Sequence, residues 1–405
     1  MSLLAVAVVT LAPGGCNFGR RVNKLVTITC AVAFLPGSGP RHRGRARHLL
    51  RPGHGGEDTS PARAAPDQSR ELPGSDGDRP LDDVTAPSQD ALAVAIDLDW
   101  DDDFAVERAA LAPLSVGVVP KPALRGSQAS SVVALLTAGS HVSGEDMRRY
   151  RNLRVISEFG TGYDGIDLDA AREIGIAVTN VAGYCTDEVA DHTLALALNL
   201  TRRIESLSEQ ARSGRWAWVD TGSVRRSRDS TWGIIGFGRI GRAVARRAVA
   251  FGFVARAYDP RVIDAEVVRH GAKPTALDDL LRSADILSIN ASRTGHDDRM
   301  LDRRRLSLLK PTAYLINVAR GALIDEAALA DALDRGALAG AALDVLVDEP
   351  PATNDRLLRH PKVLVTPHSA WYSDAAALEL RTRGIRAVID VLSGRRPADL
   401  VLELA

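Results

Sequence analysis

From residue 231 onwards, six short apolar runs alternate with helical stretches. The runs are WGIIG, FVARAYD, ILSIN, AYLINV, GAALDV and KVLVTP, and segments 239–251 and 325–334 are among the helical stretches between them. Parallel strands cannot be joined by tight turns, and helices are the usual crossover connections. The series therefore predicts an α/β fold with a doubly wound parallel sheet of six strands.

A first series of apolar runs precedes this one, from about residue 91. It contains AVAIDL, VVALLTA, LRVISEFG and GIAVTNVA, which are rich in Val, Ile and Leu and predict a second parallel sheet. Between the two series, acidic residues open a leucine-rich stretch over 187–212, which predicts one long helix linking two domains. Residues 36–90 are rich in Pro, Gly, Arg, Asp and Ser without periodicity, so 1–90 is interpreted as a disordered or spurious extension.

Composition excludes several classes of protein. The 405 residues include 51 Lys+Arg and 51 Asp+Glu, so no bulk charge favours nucleic acid or an anionic membrane. Three scattered cysteines form neither a disulfide framework nor a zinc motif, and no metal site is predicted. No apolar run reaches the roughly 20 residues that span a bilayer.

The N-terminal region leaves two alternatives open for location. The apolar run 25–35 follows three basic residues and weakly resembles a secretion signal, whereas the alternative is an upstream extension or tail. A redox cofactor that must be recycled favours the second alternative, and we expect a cytoplasmic protein.

A glycine motif follows the first strand of the second series. Gly236, Gly238 and Gly241 form GxGxxG between a predicted strand and a predicted helix. The next strand ends in Asp259, 259 − 241 = 18 residues later, close to the spacing of about 20 found in dinucleotide-binding folds. The glycines allow a tight turn and a close approach to pyrophosphate, and Asp259 suits a ribose diol but repels a 2′-phosphate. The motif predicts NAD rather than NADP; the alternative is an ordinary glycine turn with a solvated Asp259.

Three later strands of the second series each end beside a reactive side chain. Arg320 follows AYLINV, Glu349 follows GAALDV, and His368 follows KVLVTP. Ligands of open parallel sheets bind at the carboxyl ends of the strands, so these residues are expected in one crevice. A histidine can donate and accept a proton near neutral pH, a carboxylate can orient it, and a guanidinium can bind a substrate carboxylate. Alone, each residue has a structural alternative, as a surface cation, a solvated acid or a buried histidine.

These motifs resemble those of the D-isomer-specific 2-hydroxyacid dehydrogenase family. GIIGFGRIG, NVARGALIDEAAL, GAALDVLVDEPP and VTPH stand in family order, and FGTGYDGIDLDAAREIGIAVTNVAGYCTDEVADHTLALALNLTRR is similar to its substrate-domain signature. The resemblance covers about residues 91–405. It implies a Rossmann NAD-binding domain (193–372) inserted in a flavodoxin-like substrate domain (91–192 and 373–405), and a homodimer.

The resemblance also implies the residues of the site. The catalytic residues would be Arg320, Glu349 and His368. The predicted cofactor-binding residues are Thr161, Gly236, Gly238, Arg239, Ile240, Gly241, Asp259, Ala291, Val318, Ala319 and Asp344. The predicted substrate-binding residues are Gly160, Thr161, Gly162, Arg320 and Trp371. One departure is clear, because the family usually carries Pro-Leu-Thr where this chain has ASRT at 291–294.

The function implied is reversible hydride transfer between NAD(H) and a 2-hydroxy or 2-oxo acid. HSAWYSDAAALEL and GIRAVIDVLSGRRP resemble the C-terminal-binding-protein corepressor subgroup, so an NAD(H)-sensing binding protein with slow turnover is the alternative. Formate dehydrogenase is disfavoured because Glu349 stands where that branch carries an amide. A tryptophan at 371 predicts apolar or thioether side chains on the substrate and disfavours phosphorylated ones.

Overall fold

The computed structural model describes residues 90–98, 100, 102–218, 224–293 and 298–402. The predicted extension 1–90, with its apolar run 25–35, therefore lies outside the described residues except for Asp90.

The described chain forms two sheets with flanking helices. The strands are β1 (Leu92–Ala95), β2 (Gly117–Pro120), β3 (Val132–Thr137), β4 (Val155–Glu158), β5 (Ala177–Thr179), β6 (Thr231–Ile235), β7 (Val254–Tyr258), β8 (Lys273–Pro274), β9 (Ile286–Ile289), β10 (Tyr314–Asn317), β11 (Gly340–Leu343), β12 (Val363–Val365) and β13 (Leu400–Leu402). The helices are α1 (Ala105–Leu111), α2 (Gly144–Arg148), α3 (Leu168–Ile174), α4 (Thr186–Arg202), α5 (Ile204–Arg212), α6 (Arg239–Ala250), α7 (Asp264–Arg269), α8 (Leu277–Ser283), α9 (Arg303–Leu306), α10 (Glu326–Asp334) and α11 (Asp374–Leu392).

The first sheet has the strand order β13-β5-β4-β3-β1-β2. Its five strands from β1 to β5 are parallel in a flavodoxin-like order, and β13 pairs antiparallel with β5 at the edge. Helix α11 packs on α1 and β4, so the chain returns to this sheet after completing the second. The domain boundaries at 192/193 and 372/373 remain a prediction.

The second sheet has the strand order β12-β11-β10-β9-β6-β7-β8, and every pairing is parallel. This is the Rossmann order with an added strand at one edge. The central strands β9, β10 and β11 are buried along their whole length, because helices cover both faces. Helix α4 packs along α6 and against β10 and β11, so the helix that links the two sheets lies on the second one.

Three details differ from the sequence prediction. The first sheet is predicted to be parallel, whereas its edge strand β13 is antiparallel. The second sheet has seven strands rather than six, because the two-residue β8 is too short for an apolar pattern to reveal. The single helix predicted over 187–212 is two helices, broken at Arg203, whose φ of 58° ends α4 in the left-handed region. Glycine is the residue usually found at such a position, so no stop signal marks the end of α4 in the sequence. None of the described helices combines the length and apolar character needed to cross a bilayer.

Candidate active site

The glycine motif forms a turn in which backbone packs directly against backbone, without room for side chains at Gly236 or Gly241. Gly236 has a φ of 86°, and a Cβ there would lie 2.5 Å from the Ala291 backbone nitrogen. A Cβ on Gly241 would lie 2.0 Å from the Gly236 carbonyl oxygen, so α6 packs directly on the turn. A Cβ on Gly238, by contrast, meets nothing within 4 Å. The backbone at Gly238 therefore faces open space at the start of α6, where N–H groups can cradle a pyrophosphate.

Asp259 closes the same turn from the next strand. Its Oδ2 accepts a hydrogen bond from the Phe237 N–H (2.7 Å), and its Oδ1 accepts one from the Arg261 N–H (2.9 Å). The Arg261 guanidinium in turn donates to the Ser292 hydroxyl at 3.1 Å, within the departing 291–294 loop. Thr294 lies outside the described residues. Sequence reasoning missed Arg261, a cation two residues from Asp259 that bears on cofactor choice.

A cavity of about 500 Å³ gathers most of the predicted cofactor residues. Its lining includes Thr161, Gly236, Gly238, Arg239, Ile240, Asp259, Ala291, Val318 and Ala319. Gly241 lies behind the turn, and Asp344 lines the adjoining cavity. The open glycine cradle and the ribose-side carboxylate fit a dinucleotide, whereas among the described residues no group of three His, Cys, Asp or Glu side chains fits a metal ion.

A second cavity of about 890 Å³ lies at the carboxyl ends of both sheets and gathers the predicted catalytic residues, Arg320, Glu349 and His368. Nδ1 of His368 lies 2.7 Å from Oε2 of Glu349, and Glu349 Oε1 accepts a hydrogen bond from the Leu346 N–H at 2.9 Å. Burial favours a raised pKa for Glu349, but the hydrogen bonds with His368 and Leu346 lower its pKa below the ordinary value. Glu349 is thus held as a carboxylate that fixes one ring nitrogen of His368.

The turn that carries His368 is held by Asp344, at the end of β11. The Asp344 carboxylate is 1% exposed and accepts hydrogen bonds from the Thr366 hydroxyl (2.6 Å) and from the Ser369 and Ala370 N–H groups (both 3.0 Å). The Asp344 backbone carbonyl accepts the His368 N–H at 2.8 Å. His368 has a φ of 49°, so its strained backbone is held by these contacts. Sequence reasoning did not assign this structural role to Asp344; its predicted cofactor contact stays a prediction.

Arg320 follows β10 and reaches across to the first sheet. Its Nε donates to Asp164 Oδ1 at 3.1 Å and its Nη1 donates to the Ala319 carbonyl at 2.8 Å. The buried Asn317 amide donates to the Arg320 carbonyl, which fixes the turn. A Cβ on Gly162 would lie 1.6 Å from Arg320 Nη2. Gly162 therefore leaves the space that the guanidinium occupies, and Asp164 is a partner that sequence reasoning missed.

The loops after β10 and β11 touch each other directly. A Cβ on Gly321 would lie 2.0 Å from the Leu346 carbonyl carbon and 2.3 Å from the Val347 nitrogen. This contact sets the distance between the loop that begins at Arg320 and the loop that leads to Glu349.

The first sheet supplies the remaining predicted residues. The Gly160 carbonyl accepts the Val181 N–H, and the Thr161 carbonyl accepts the Asn180 amide at 2.8 Å, so the loop after β4 is fixed to the strand end of β5. Trp371 lines the 890 Å³ cavity, with its ring centroid 6.2 Å from that of Tyr184. All five predicted substrate-binding residues thus line one cavity.

Among the further residues that line that cavity, three lie at the ends of first-sheet strands and were not singled out from the sequence. Asp97 and Trp100 follow β1, and Glu158 is the last residue of β4. Glu158 is only 3% exposed. The sequence signal that could have identified Glu158 is its position as an acidic residue at the end of the apolar run LRVISEFG.

Comparison with known proteins gives the family. Residues 194–370 match the model of the D-isomer specific 2-hydroxyacid dehydrogenase NAD-binding domain. The chain is 38% identical over 277 residues to a glyoxylate reductase of Thermofilum pendens, covering 67% of this chain and 80% of that protein. It is 34% identical to a D-3-phosphoglycerate dehydrogenase of Bacillus subtilis, covering 64% of this chain but only about half (49%) of that longer protein.

Solved structures agree with these relatives. The crystal structure of D-lactate dehydrogenase from Aquifex aeolicus, complexed with NAD and lactic acid, superposes with a TM-score of 0.72 at 27% identity. The match covers 77% of this chain and 100% of that chain. These relatives carry the names of enzymes, so the resemblance to the corepressor subgroup stays a prediction.

Proposed function

Because the chain belongs to the D-isomer specific 2-hydroxyacid dehydrogenase family, we propose that it interconverts a 2-oxo acid and the corresponding D-2-hydroxy acid. The family makes it an NAD-dependent oxidoreductase that acts on CH–OH groups. The proposal for the reacting residues depends on one observation: the 2.7 Å His368–Glu349 pair and Arg320 line a single cavity next to the dinucleotide cavity.

His368 is the proton donor in the proposed reduction. Its Nδ1 is engaged by Glu349, so Nε2 is the nitrogen left to protonate the carbonyl oxygen of the substrate. In the reverse direction, Nε2 accepts the hydroxyl proton. The carboxylate of Glu349 stabilises the charged imidazolium in both directions.

Arg320 binds the substrate carboxylate in this proposal. Among the described residues, Asp164 accepts a hydrogen bond from Nε and the Ala319 carbonyl accepts one from Nη1, so Nη2 is left to donate to an anion. The backbone at Gly238 and the carboxylate of Asp259 would hold the dinucleotide, which supplies or accepts the hydride when bound.

A spectrophotometric screen tests the proposed function. NADH oxidation is followed at 340 nm against a panel of 2-oxo acids, and the product of the best substrate is analysed on a chiral column. We expect turnover with NADH and a product of D configuration. An L product contradicts the assignment, and tight NADH binding without turnover of any 2-oxo acid supports the NAD(H)-sensing alternative.

We further propose a homodimer in the cytoplasm, where NAD(H) is recycled. The segment after α5 exposes large apolar side chains, with Trp216 93% and Trp218 78% exposed. Exposed tryptophans are typical of interfaces between subunits. Sedimentation equilibrium of the chain and of Trp216→Ser tests the dimer, which the substitution should weaken.

A further inference from the structure

Arg293 lines both cavities and has no role in the chemistry proposed above. It lies in the loop after β9, where the sequence departs from the family pattern. Ala291 and Ser292 of this loop line the cofactor cavity of about 500 Å³, and Arg293 lines that cavity as well as the 890 Å³ cavity that holds Arg320. A single side chain therefore borders the proposed cofactor site and the proposed substrate site.

The loop that carries Arg293 is tied to the ribose side of the proposed cofactor site. The Arg261 guanidinium donates to the Ser292 hydroxyl at 3.1 Å, and the Arg261 N–H donates to Asp259 Oδ1 at 2.9 Å. Asp259 is the carboxylate that we propose holds the ribose. A dinucleotide bound at Asp259 and along Ala291 therefore restricts the position of this loop.

Asp298 sets the direction of the Arg293 side chain. Nε of Arg293 donates to Oδ1 of Asp298 at 2.7 Å, and Nη2 donates to Oδ2 at 3.0 Å. Two parallel hydrogen bonds of this kind fix the plane of a guanidinium. The remaining nitrogen, Nη1, lies 3.8 Å from Oδ2 of Asp164, which is the distance of an ion pair rather than of a hydrogen bond.

Asp164 stands between Arg293 and Arg320. Its Oδ1 accepts the hydrogen bond from Arg320 Nε at 3.1 Å, and its Oδ2 faces Arg293. The terminal torsion of an aspartate is broad, so a single hydrogen bond leaves the carboxylate free to turn. A cation near each oxygen narrows that range by attraction. Arg293 therefore steadies the carboxylate that holds the guanidinium of Arg320.

On the assumption that Arg320 binds the substrate carboxylate, as proposed above, we infer that Arg293 is a positioning residue that couples the cofactor site to substrate binding. A bound dinucleotide restricts the loop 291–293, the loop holds Arg293 against Asp164, and Asp164 orients Arg320. This arrangement gives Arg293 no role at the reacting atoms, so it acts on binding rather than on hydride transfer. Coupling between two binding sites is reciprocal, so a bound 2-oxo acid must tighten NADH binding by the same factor.

Titrations of NADH with and without oxamate, an unreactive analogue of a 2-oxo acid, measure this coupling. NADH binding is followed by its fluorescence, which also shows whether each variant folds. We expect saturating oxamate to lower the Kd of the wild type for NADH at least about fivefold. In Arg293→Met, which keeps the length of the side chain and removes its charge, the factor should fall below about twofold. Arg293→Lys keeps the charge and should restore at least about half of the wild-type factor.

A double-mutant cycle on KM tests whether Arg293 acts through Asp164. Arg293→Met should raise KM for the 2-oxo acid about fivefold and change kcat less than about twofold. Combined with Asp164→Asn, which alone should raise KM about tenfold, it should give about tenfold again rather than the roughly fiftyfold of independent effects. Arg282→Met is the control, since Arg282 pairs with Asp279 on α8 at 3.1 Å and lines neither cavity, and both its KM and its oxamate factor should equal those of the wild type.

The outcomes separate this inference from the proposed function. A wild-type oxamate factor near one, a factor that Arg293→Met leaves unchanged, or KM effects that multiply in the double variant overturn the coupling role of Arg293 while the dehydrogenase assignment stands. If no 2-oxo acid is turned over, the proposed function fails and the inference fails with it.

Discussion

Arg320 and Asp164 join the two sheets across the active-site cavity, with Arg320 Nε donating to Asp164 Oδ1 at 3.1 Å. Arg293 lies 3.8 Å from the other oxygen of Asp164, so the carboxylate stands between two cations. Asp164 thus holds the guanidinium by its inner nitrogen. An outer nitrogen stays available for the substrate carboxylate that we propose Arg320 binds.

We expect Asp164→Asn to raise KM for the 2-oxo acid about tenfold and to change kcat much less. The substitution weakens a charge-assisted hydrogen bond, so Arg320 loses orientation without losing its charge. Steady-state kinetics give both constants. A lower KM would mean that Asp164 competes with the substrate for Arg320, contrary to the role described here.

His368→Ala should lower kcat by roughly a hundredfold to ten-thousandfold, the usual contribution of general acid–base catalysis. Glu349→Gln keeps a hydrogen-bond partner for Nδ1 and removes only the charge, so its loss should be smaller and should vary with pH. NADH binding, followed by fluorescence quenching, shows whether each variant retains its cofactor site. Near-normal turnover of His368→Ala would identify another group as the acid.

Cofactor choice should depend on the charge of Asp259. We expect the wild type to prefer NADH to NADPH in kcat/KM by at least about tenfold, because a carboxylate repels a 2′-phosphate. Asp259→Asn removes the charge and keeps one of the two oxygens that accept backbone N–H groups, so the preference should fall while Arg261 remains available to a phosphate. An unchanged preference in Asp259→Asn would show that loop shape, rather than charge, selects the cofactor.

Glu158 should make the stability of the chain depend on pH. Burial, and then the nearby charge of Asp97, raise its pKa from 4.5 to about 8 in the folded protein, so the folded state binds the proton more tightly than the unfolded state. Stability is therefore lost as pH rises from about 4.5 towards 8, by up to about 3 kcal/mol at pH 7.

The conservative variant Glu158→Gln isolates this effect. It carries no titrating proton, so urea unfolding should show little difference from the wild type at pH 5 and a more stable variant at pH 7.5. Equal destabilisation at both pH values would show that the carboxyl group is not protonated in the fold.

The residues that could be grouped from the sequence are those whose neighbourhood depends on a local sequence pattern. Gly236, Gly238 and Asp259 belong to one βαβ unit, in which the glycines follow the first strand and the acid ends the second. Residues within such a unit are close in sequence, so their spacing was enough to predict that they lie together. Arg320, Glu349 and His368 could be grouped because each follows a strand of the same parallel sheet.

The parts that were missed depend on contacts distant in sequence. Asp164 pairs with a residue 156 positions away, and Trp100 is fixed by Arg381 from the C-terminal helix α11. The end of α4 was missed for a different reason. Arg203 occupies a left-handed position without being glycine, and no composition rule marks such a break.

The Gly321 contact has a consequence for how such a site can diverge. At Gly321 the backbone of the loop that begins at Arg320 touches the backbone at Leu346. The separation between this loop and the loop leading to Glu349 therefore does not depend on the size of any side chain there. Residues 97, 100 and 158 belong to the other sheet and take no part in that contact. Substitutions at these three positions can therefore change which ligands fit the cavity without changing the spacing between the Arg320 and Glu349 loops.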